Sequence, residues 1–208
     1  MAPPIVPHVS NALVVLDVFG IAVFAVSGAL LAAEKRQTLV TFIFFAVATG
    51  VGGGTLRDLL IGAPVFWVHA NATLLICIGA AIAVWLLSSR RIAARALDWF
   101  DAAGLAAYAT YGSAKALGYG VAPVPAFAMG VLTACFGGIV RDVLAGEPSI
   151  LMRPELYVTA AALAAGLFVG LSLVGTPIWL AAAVGAAAGF GLRSAAIARV
   201  WRLPAYKE

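Results

Sequence analysis

Charge is scarce in this chain: 11% of its residues are Asp, Glu, Lys or Arg, against roughly 25% in an ordinary soluble domain. With 63% of 208 residues hydrophobic, too little polar surface remains to coat a water-soluble fold. Cysteine is nearly absent. Cys77 and Cys135 each sit inside an apolar run, outside any CxxC pattern, which argues against a metal or disulfide framework. The first eleven residues hold no Lys or Arg, so the basic start of a secretory signal is missing and the segment reads as an extramembrane tail. There is no HExxH, GxxxxGK[ST] or GxSxG, and Gly50, Gly52 and Thr55 fail to complete a GxGxxG. Without a nucleophile, metal or dinucleotide motif the chain does not read as an enzyme. His8 in the tail and His69 in a loop read as solvated side chains rather than catalytic ones.

What the chain does have is seven long apolar runs, at 12–33, 38–60, 70–87, 97–117, 125–144, 156–173 and 178–197. At about 20 residues per span, seven spans use about two thirds of the sequence and leave no room for a soluble domain. The expected fold is therefore an all-α integral membrane protein, one membrane domain over 1–208. If every run crosses once, Lys35, Arg36, Arg90, Arg91, Arg95, Arg153, Arg199, Arg202 and Lys207 fall on one side. The positive-inside rule makes that side cytoplasmic and puts the N-terminus outside. The net charge of +4 is thus topology, and no nucleic-acid partner is implied. Trp67, Trp85, Trp99 and Trp201 fall near the expected interfaces, as anchoring indoles do.

The sequence also repeats itself. VGGGTLRDLLIGAP at 51–64 aligns with CFGGIVRDVLAGEP at 135–148, an offset of 84 residues (57 to 141) that holds upstream without a gap. Asp17, Gly20, Ala22, Ala25 and Gly28 match Asp101, Gly104, Ala106, Ala109 and Gly112. Each copy holds three spans (12–88 and 97–174), with a seventh helix at 177–198. An odd number of spans forces the second copy to enter upside down, as an inverted repeat whose interface carries the polar path.

Gly52, Gly53 and Gly54, and their counterparts Gly137 and Gly138, fall inside the second and fifth spans, with Phe136 in place of the first glycine. Adjacent glycines each lower helix propensity by about 1 kcal/mol relative to alanine and invite a kink or break. The other reading is close helix packing, which Gly50 and Gly54 also satisfy. Each cluster is followed within a turn by Arg-Asp, at Arg57 and Asp58 and at Arg141 and Asp142. Helix neighbours point about 100° apart, so another partner is expected for each arginine. Asp17 is expected to brace Arg57, and Asp101 to brace Arg141, leaving Asp58 and Asp142 to face water and favour cations. The competing reading places all six charges at helix ends in the headgroup zone. Lys115 breaks the repeat, its counterpart being Leu31; it either snorkels to the headgroups or reaches into the pathway as a charge that voltage can move. Tyr111 and Ser113 would stand beside it as hydroxyls.

The duplicated GG-x-x-RD pattern, with Asp17 to Gly28 and Asp101 to Gly112 ahead of it, closely resembles the prokaryotic relatives of the trimeric intracellular cation (TRIC) channels. The likeness covers both repeats and the seventh span. It implies a homotrimer with a pore in each subunit, lined by kinked second and fifth helices and passing potassium or sodium. No cofactor is required; membrane lipids are the remaining partners. The hinge glycines would be Gly52, Gly53, Gly54, Gly137 and Gly138. Animal members carry a Lys-Glu-Val motif linked to voltage sensing and lipid binding; Lys115 matches its lysine but is followed by Ala116 and Leu117. Some bacterial sequences with the same repeats are described as transporters of small metabolites such as glycine, and glycine hinges serve either design.

Overall fold

The structure, a computed structural model, describes residues 11–88 and 90–204, of which 90–95 by backbone alone. The expected N-terminal tail lies almost wholly outside the described residues. Among the described residues, seven α-helices run as α1 Asn11–Glu34, α2 Leu39–Leu60, α3 Asn71–Leu87, α4 Arg90–Gly118, α5 Pro123–Leu144, α6 Val158–Leu173 and α7 Ile178–Arg199, with one 3-10 turn at Ile150–Met152. By length and hydropathy α1, α2, α5 and α7 are long and apolar enough to cross a membrane. Helices α3 and α6 are apolar but shorter, at 17 and 16 residues. Helix α4 differs most from its expected span: it starts at Arg90 rather than near 97 and runs for 29 residues, about 44 Å at 1.5 Å per residue.

Local chemistry sets the boundaries. Thr38 caps α2 by accepting a hydrogen bond from the Thr41 amide at 3.4 Å. Pro123 opens α5, where a missing N–H costs nothing. Helices α2 and α5 close in the same way: Gly62 and Gly146 both adopt φ +68°, a conformation that suits glycine at a helix end. The next amides, of Ala63 and Glu147, donate back to the Asp58 and Asp142 carbonyls at 2.8 and 3.0 Å. The 84-residue offset therefore holds down to individual hydrogen bonds.

Within the first half α1, α2 and α3 pack on one another, and α4, α5 and α6 do the same in the second. The halves meet through equivalent elements, α1 against α4 and α2 against α5, while α7 covers α4 and α6. Phe24 and Tyr108, which are equivalent positions, touch at the first of these contacts with ring centroids 5.3 Å apart. The core between them is built of small residues, among them Ala25, Ala29, Ala46, Ala109, Ala134 and Ala161, all fully buried. Large apolar side chains such as Val40, Leu87 and Val124 point outward, about four-fifths exposed; this is the inverse of a soluble protein and suits a lipid solvent.

The glycine clusters do not break their helices: α2 and α5 run uninterrupted through them. The physical reason is the approach they permit. A Cβ on Gly53 would stand 2.0 Å from the Thr133 carbonyl oxygen, and one on the equivalent Gly137 would stand 2.9 Å from the Thr49 carbonyl oxygen. Two helices touching backbone to backbone need glycine at the crossing, and the backbone hydrogen bonds inside each helix are kept.

Candidate functional site

Two charged clusters lie at opposite ends of the α2–α5 contact, one for each repeat. The C-terminal ends of α2 and α4 lie together on one face, joined by Lys115 and Asp58. The C-terminal ends of α1 and α5 lie together on the other, where Lys35 meets Glu147. The second is here called the basic face, since Lys35, Arg36 and Arg153 belong to its loops, and the first the plain face.

At the plain face, Asp58 is completely buried and Arg57 is 1% exposed. The expectation that Asp58 faces water is corrected: its carboxylate accepts from Arg57 Nε at 2.8 Å, from Lys115 Nζ at 2.8 and 2.9 Å, and from the Phe66 amide at 3.1 Å. The expectation that Arg57 looks past its neighbour is also corrected. Its long side chain folds back so that Nε and Nη2 both reach Asp58 Oδ1. The Asp17–Arg57 pair does not form; Asp17 Oδ1 and Arg57 Nη1 are buried without hydrogen-bond partners. Tyr111 lies under the Arg57 guanidinium, 5.0 Å from carbon to ring centroid, and interacts with Asp17. Phe66 closes the cluster from the α2–α3 loop, its ring 5.8 Å from both the Arg57 guanidinium and the Lys115 ammonium and pressed onto Gly54. Trp67 fixes that loop by donating to Thr55 Oγ1 at 2.8 Å. Ser113 is not beside the lysine head; it is buried and faces Gly130 of α5.

At the basic face the same frame is filled differently. Arg141 donates from Nε to Asp142 at 2.9 Å and from Nη1 to Asp101 at 2.5 Å and to Ser27 at 2.6 Å. The expected Asp101 partnership is thus present. Asp142 is 3% exposed and accepts from the Ile150 amide at 2.8 Å, so it too anchors a loop rather than standing free in water. Each aspartate of the RD pair holds the loop eight residues on, and this is why the pattern recurs with a fixed spacing. Where Lys115, Phe66 and Tyr111 crowd the plain face, the basic face has Leu31, Ile150 and Ser27. In their place is a cavity of about 210 Å³ lined by Leu31, Glu34, Asp98, Arg141, Asp142 and Glu147, with Arg153 at its edge.

One buried charge was not singled out by the sequence. Arg193 of α7 is 1% exposed, lies 5.4 Å over the Tyr157 ring and donates to Glu155 at 2.6 Å. It sits in an Ala- and Gly-rich helix with no repeat counterpart, so neither symmetry nor a motif marked it. No group of three or more His, Cys, Asp or Glu that could hold a metal occurs among the described residues. Cys77 and Cys135 are free and buried.

A family model described as glycine transporter matches twice, over residues 14–89 and 98–173. The two matches carry the same 84-residue offset. A UPF0126 membrane protein of Vibrio cholerae is 43% identical over 154 residues, 73% of this chain and 64% of its own length. The UPF0126 inner membrane protein YadS of Escherichia coli K12 is 40% identical over 148 residues, 70% of this chain and 72% of its own. Among solved structures, the TRIC trimeric intracellular cation channel orthologue from Rhodobacter sphaeroides superposes with a TM-score of 0.88 at 43% identity, covering 92% of this chain and 100% of that one. A prokaryotic TRIC channel in 0.5 M KCl gives 0.84 at 27% identity over 92% and 98%.

Proposed function

We propose that this protein conducts monovalent cations, from the premise that the chain belongs to the glycine transporter family and, within it, to the prokaryotic TRIC channels. It is a multi-pass membrane protein, and its family is one of channels rather than enzymes. The pathway runs through each subunit between α2 and α5, from the cavity at the basic face to the Lys115 cluster at the plain face. In this reading the halves are an inverted repeat, supported by the pairing of α1 with α5 ends and of α2 with α4 ends. The basic face is cytoplasmic, on the positive-inside argument. The subunits assemble as a homotrimer, as the names of the solved relatives describe those proteins.

The observation that carries the reading is the inequality of the two ends. At the plain face the Lys115 ammonium occupies a buried carboxylate, and a fixed cation in the path excludes a permeant one. At the basic face the equivalent position is Leu31 and the cavity is open. Opening requires Lys115 to leave Asp58, and the charge that moves makes the step sensitive to voltage, by about 2.3 kcal/mol for a full charge through 100 mV. Gly53 and Gly137, with Gly52 against Val140, act as the sliding contact on which α2 and α5 shift, not as breaks, while Gly54 and Gly138 make room for Phe66 and Tyr157. No cofactor is assigned; potassium or sodium permeates, and lipid surrounds the helices.

The test is a planar bilayer under a potassium chloride gradient. The expected result is unitary currents reversing near the potassium potential, with Lys115→Met raising open probability and flattening its voltage dependence. A second reading, alternating-access transport of glycine, is favoured by the family model's description and by one end being shut while the other is open. Electrical silence together with glycine uptake into liposomes selects that reading and rejects the channel.

A further inference from the structure

Among the described residues, two ion pairs join the first half of the chain to the second. One is Lys115 to Asp58 at the plain face, with side chains 15% and 0% exposed. The other is Lys35 to Glu147 at the basic face, with side chains 36% and 35% exposed. Each spans the seam between repeats, and each does so at one end of the same α2–α5 contact. The second pair has no place in the repeat. The counterparts of Lys35 and Glu147 are Tyr119 and Ala63, so it is an addition peculiar to the basic face.

Its position is what gives it meaning. Glu147 lines the rim of the 210 Å³ cavity, and Lys35 reaches it from the turn after α1, whose last residue Glu34 lines the same cavity. That turn is set by Arg36 at φ +54° and by the Gln37 amide closing on Ala32 at 3.0 Å, and Gln37 donates its side-chain amide to the Lys35 carbonyl at 3.1 Å. Glu147 is likewise fixed, its amide bonded to the Asp142 carbonyl at 3.0 Å. Two hydrogen-bonded turns, one from each half, are therefore strapped together beside the cavity by a single exposed pair.

We propose that Lys35 and Glu147 form a latch on the basic-face cavity, a weak counterpart to the Lys115 latch on buried Asp58 at the other side, whose release widens the cavity entrance. The proposal rests on the pathway described above for what passes through the mouth, though not for the latch itself. The other charged groups facing Glu147 are Arg153 across the rim, Glu34 from α1, Asp98 from α4 and the Arg141–Asp142 pair on the cavity floor. Arg153 supports the carboxylate charge and the acids oppose it, but Lys35 makes the direct contact. An exposed pair is easily displaced by salt, so the latch responds to ionic strength as the buried one does not.

The test uses Leu31→Cys on the cavity wall as a reporter, labelled by a membrane-impermeant thiol reagent from the basic face. The protein without this substitution supplies the background from Cys77 and Cys135. Lys35→Glu and Glu147→Lys should each speed labelling about two- to fivefold, the range an exposed pair can supply. The double reversal should restore the original rate, and Lys35→Arg should leave it unchanged. Equal labelling in all variants, with size-exclusion profiles unaltered, overturns the latch. If single-variant profiles collapse, the double reversal decides: a fully folded protein with the original rate supports the latch, and one with a fast rate overturns it. Faster labelling in a protein that passes no current would keep the latch and reject the channel instead.

Discussion

The two charged clusters are the same eight-residue device written twice and filled in two ways. In both, an arginine folds back on the aspartate that follows it, and that aspartate holds the amide eight residues on. At the basic face Arg141 also reaches Asp101 and Ser27, so its charge is satisfied within and across the halves. At the plain face Arg57 faces a tyrosine ring instead of a serine, Asp17 is left out, and Lys115 takes a share of Asp58. A duplicated motif therefore fixes the frame, and three non-equivalent neighbours at positions 31/115, 27/111 and 66/150 decide how each end is filled.

The largest effect should come from breaking the more complete cluster. Arg141→Met leaves two buried carboxylates without their cation and is expected to cost about 3–5 kcal/mol. Arg57→Met should cost less, because Lys115 still neutralises Asp58. Thermal unfolding of both variants in detergent checks the order, and equal losses would mean the clusters are energetically alike. Next comes the glycine crossing. Gly53→Ala must displace the Thr133 carbonyl and should cost about 1–3 kcal/mol, while Gly52→Ala, whose nearest new contact is Val140 at 3.6 Å, should cost nothing and stabilise by up to about 1 kcal/mol. A transplant sharpens the comparison further. Leu31→Lys combined with Lys115→Leu moves the part-buried ammonium to the other end, and bilayer currents should then reverse the sign of their voltage dependence. The smallest effect is acid titration at the exposed latch. Hydrogen bonding and attraction from Lys35 hold the Glu147 carboxyl below its ordinary 4.5, so the pair is intact at neutral pH and is lost only as pH falls through that depressed value. Labelling at Leu31→Cys, taken relative to the same cysteine in a Glu147→Gln background so that thiolate formation cancels, should be slower by a constant factor near neutrality and converge with it in strong acid; convergence between pH 6 and 8 would assign the switch to another group.

Much of this was legible in sequence because symmetry is. The offset that relates Arg57 to Arg141 also relates Gly62 to Gly146 and Phe66 to Ile150, and α2 and α5 keep it in both their bounds. The pairing of Asp101 with Arg141 was readable for the same reason. The equivalent Asp17–Arg57 pair is absent because equivalent positions have different neighbours: Lys115 and Tyr111 change the competition around Arg57. The 100° between adjacent helix residues does not separate Arg57 from Asp58, because an arginine is long enough to fold back across that angle. The glycines were read as weak points of a helix, when the crossing partner made them points of contact. Arg193 was invisible because α7 stands outside the repeat.

That last residue has a consequence for biogenesis. Tyr157 and Glu155, at the entrance to α6, are covered by Arg193 near the far end of α7, and the chain after α7 returns to bond Leu203 N to the Pro154 carbonyl at 2.8 Å. The cluster of the first half takes Lys115 and Tyr111 from α4 but no residue from α7. The halves should therefore mature at different times during synthesis, the first once α4 has joined its helices in the bilayer and the second only after α7 has left the ribosome. Chains arrested before residue 193 would then leave the α5–α6 loop open to protease while the α2–α3 loop is already protected.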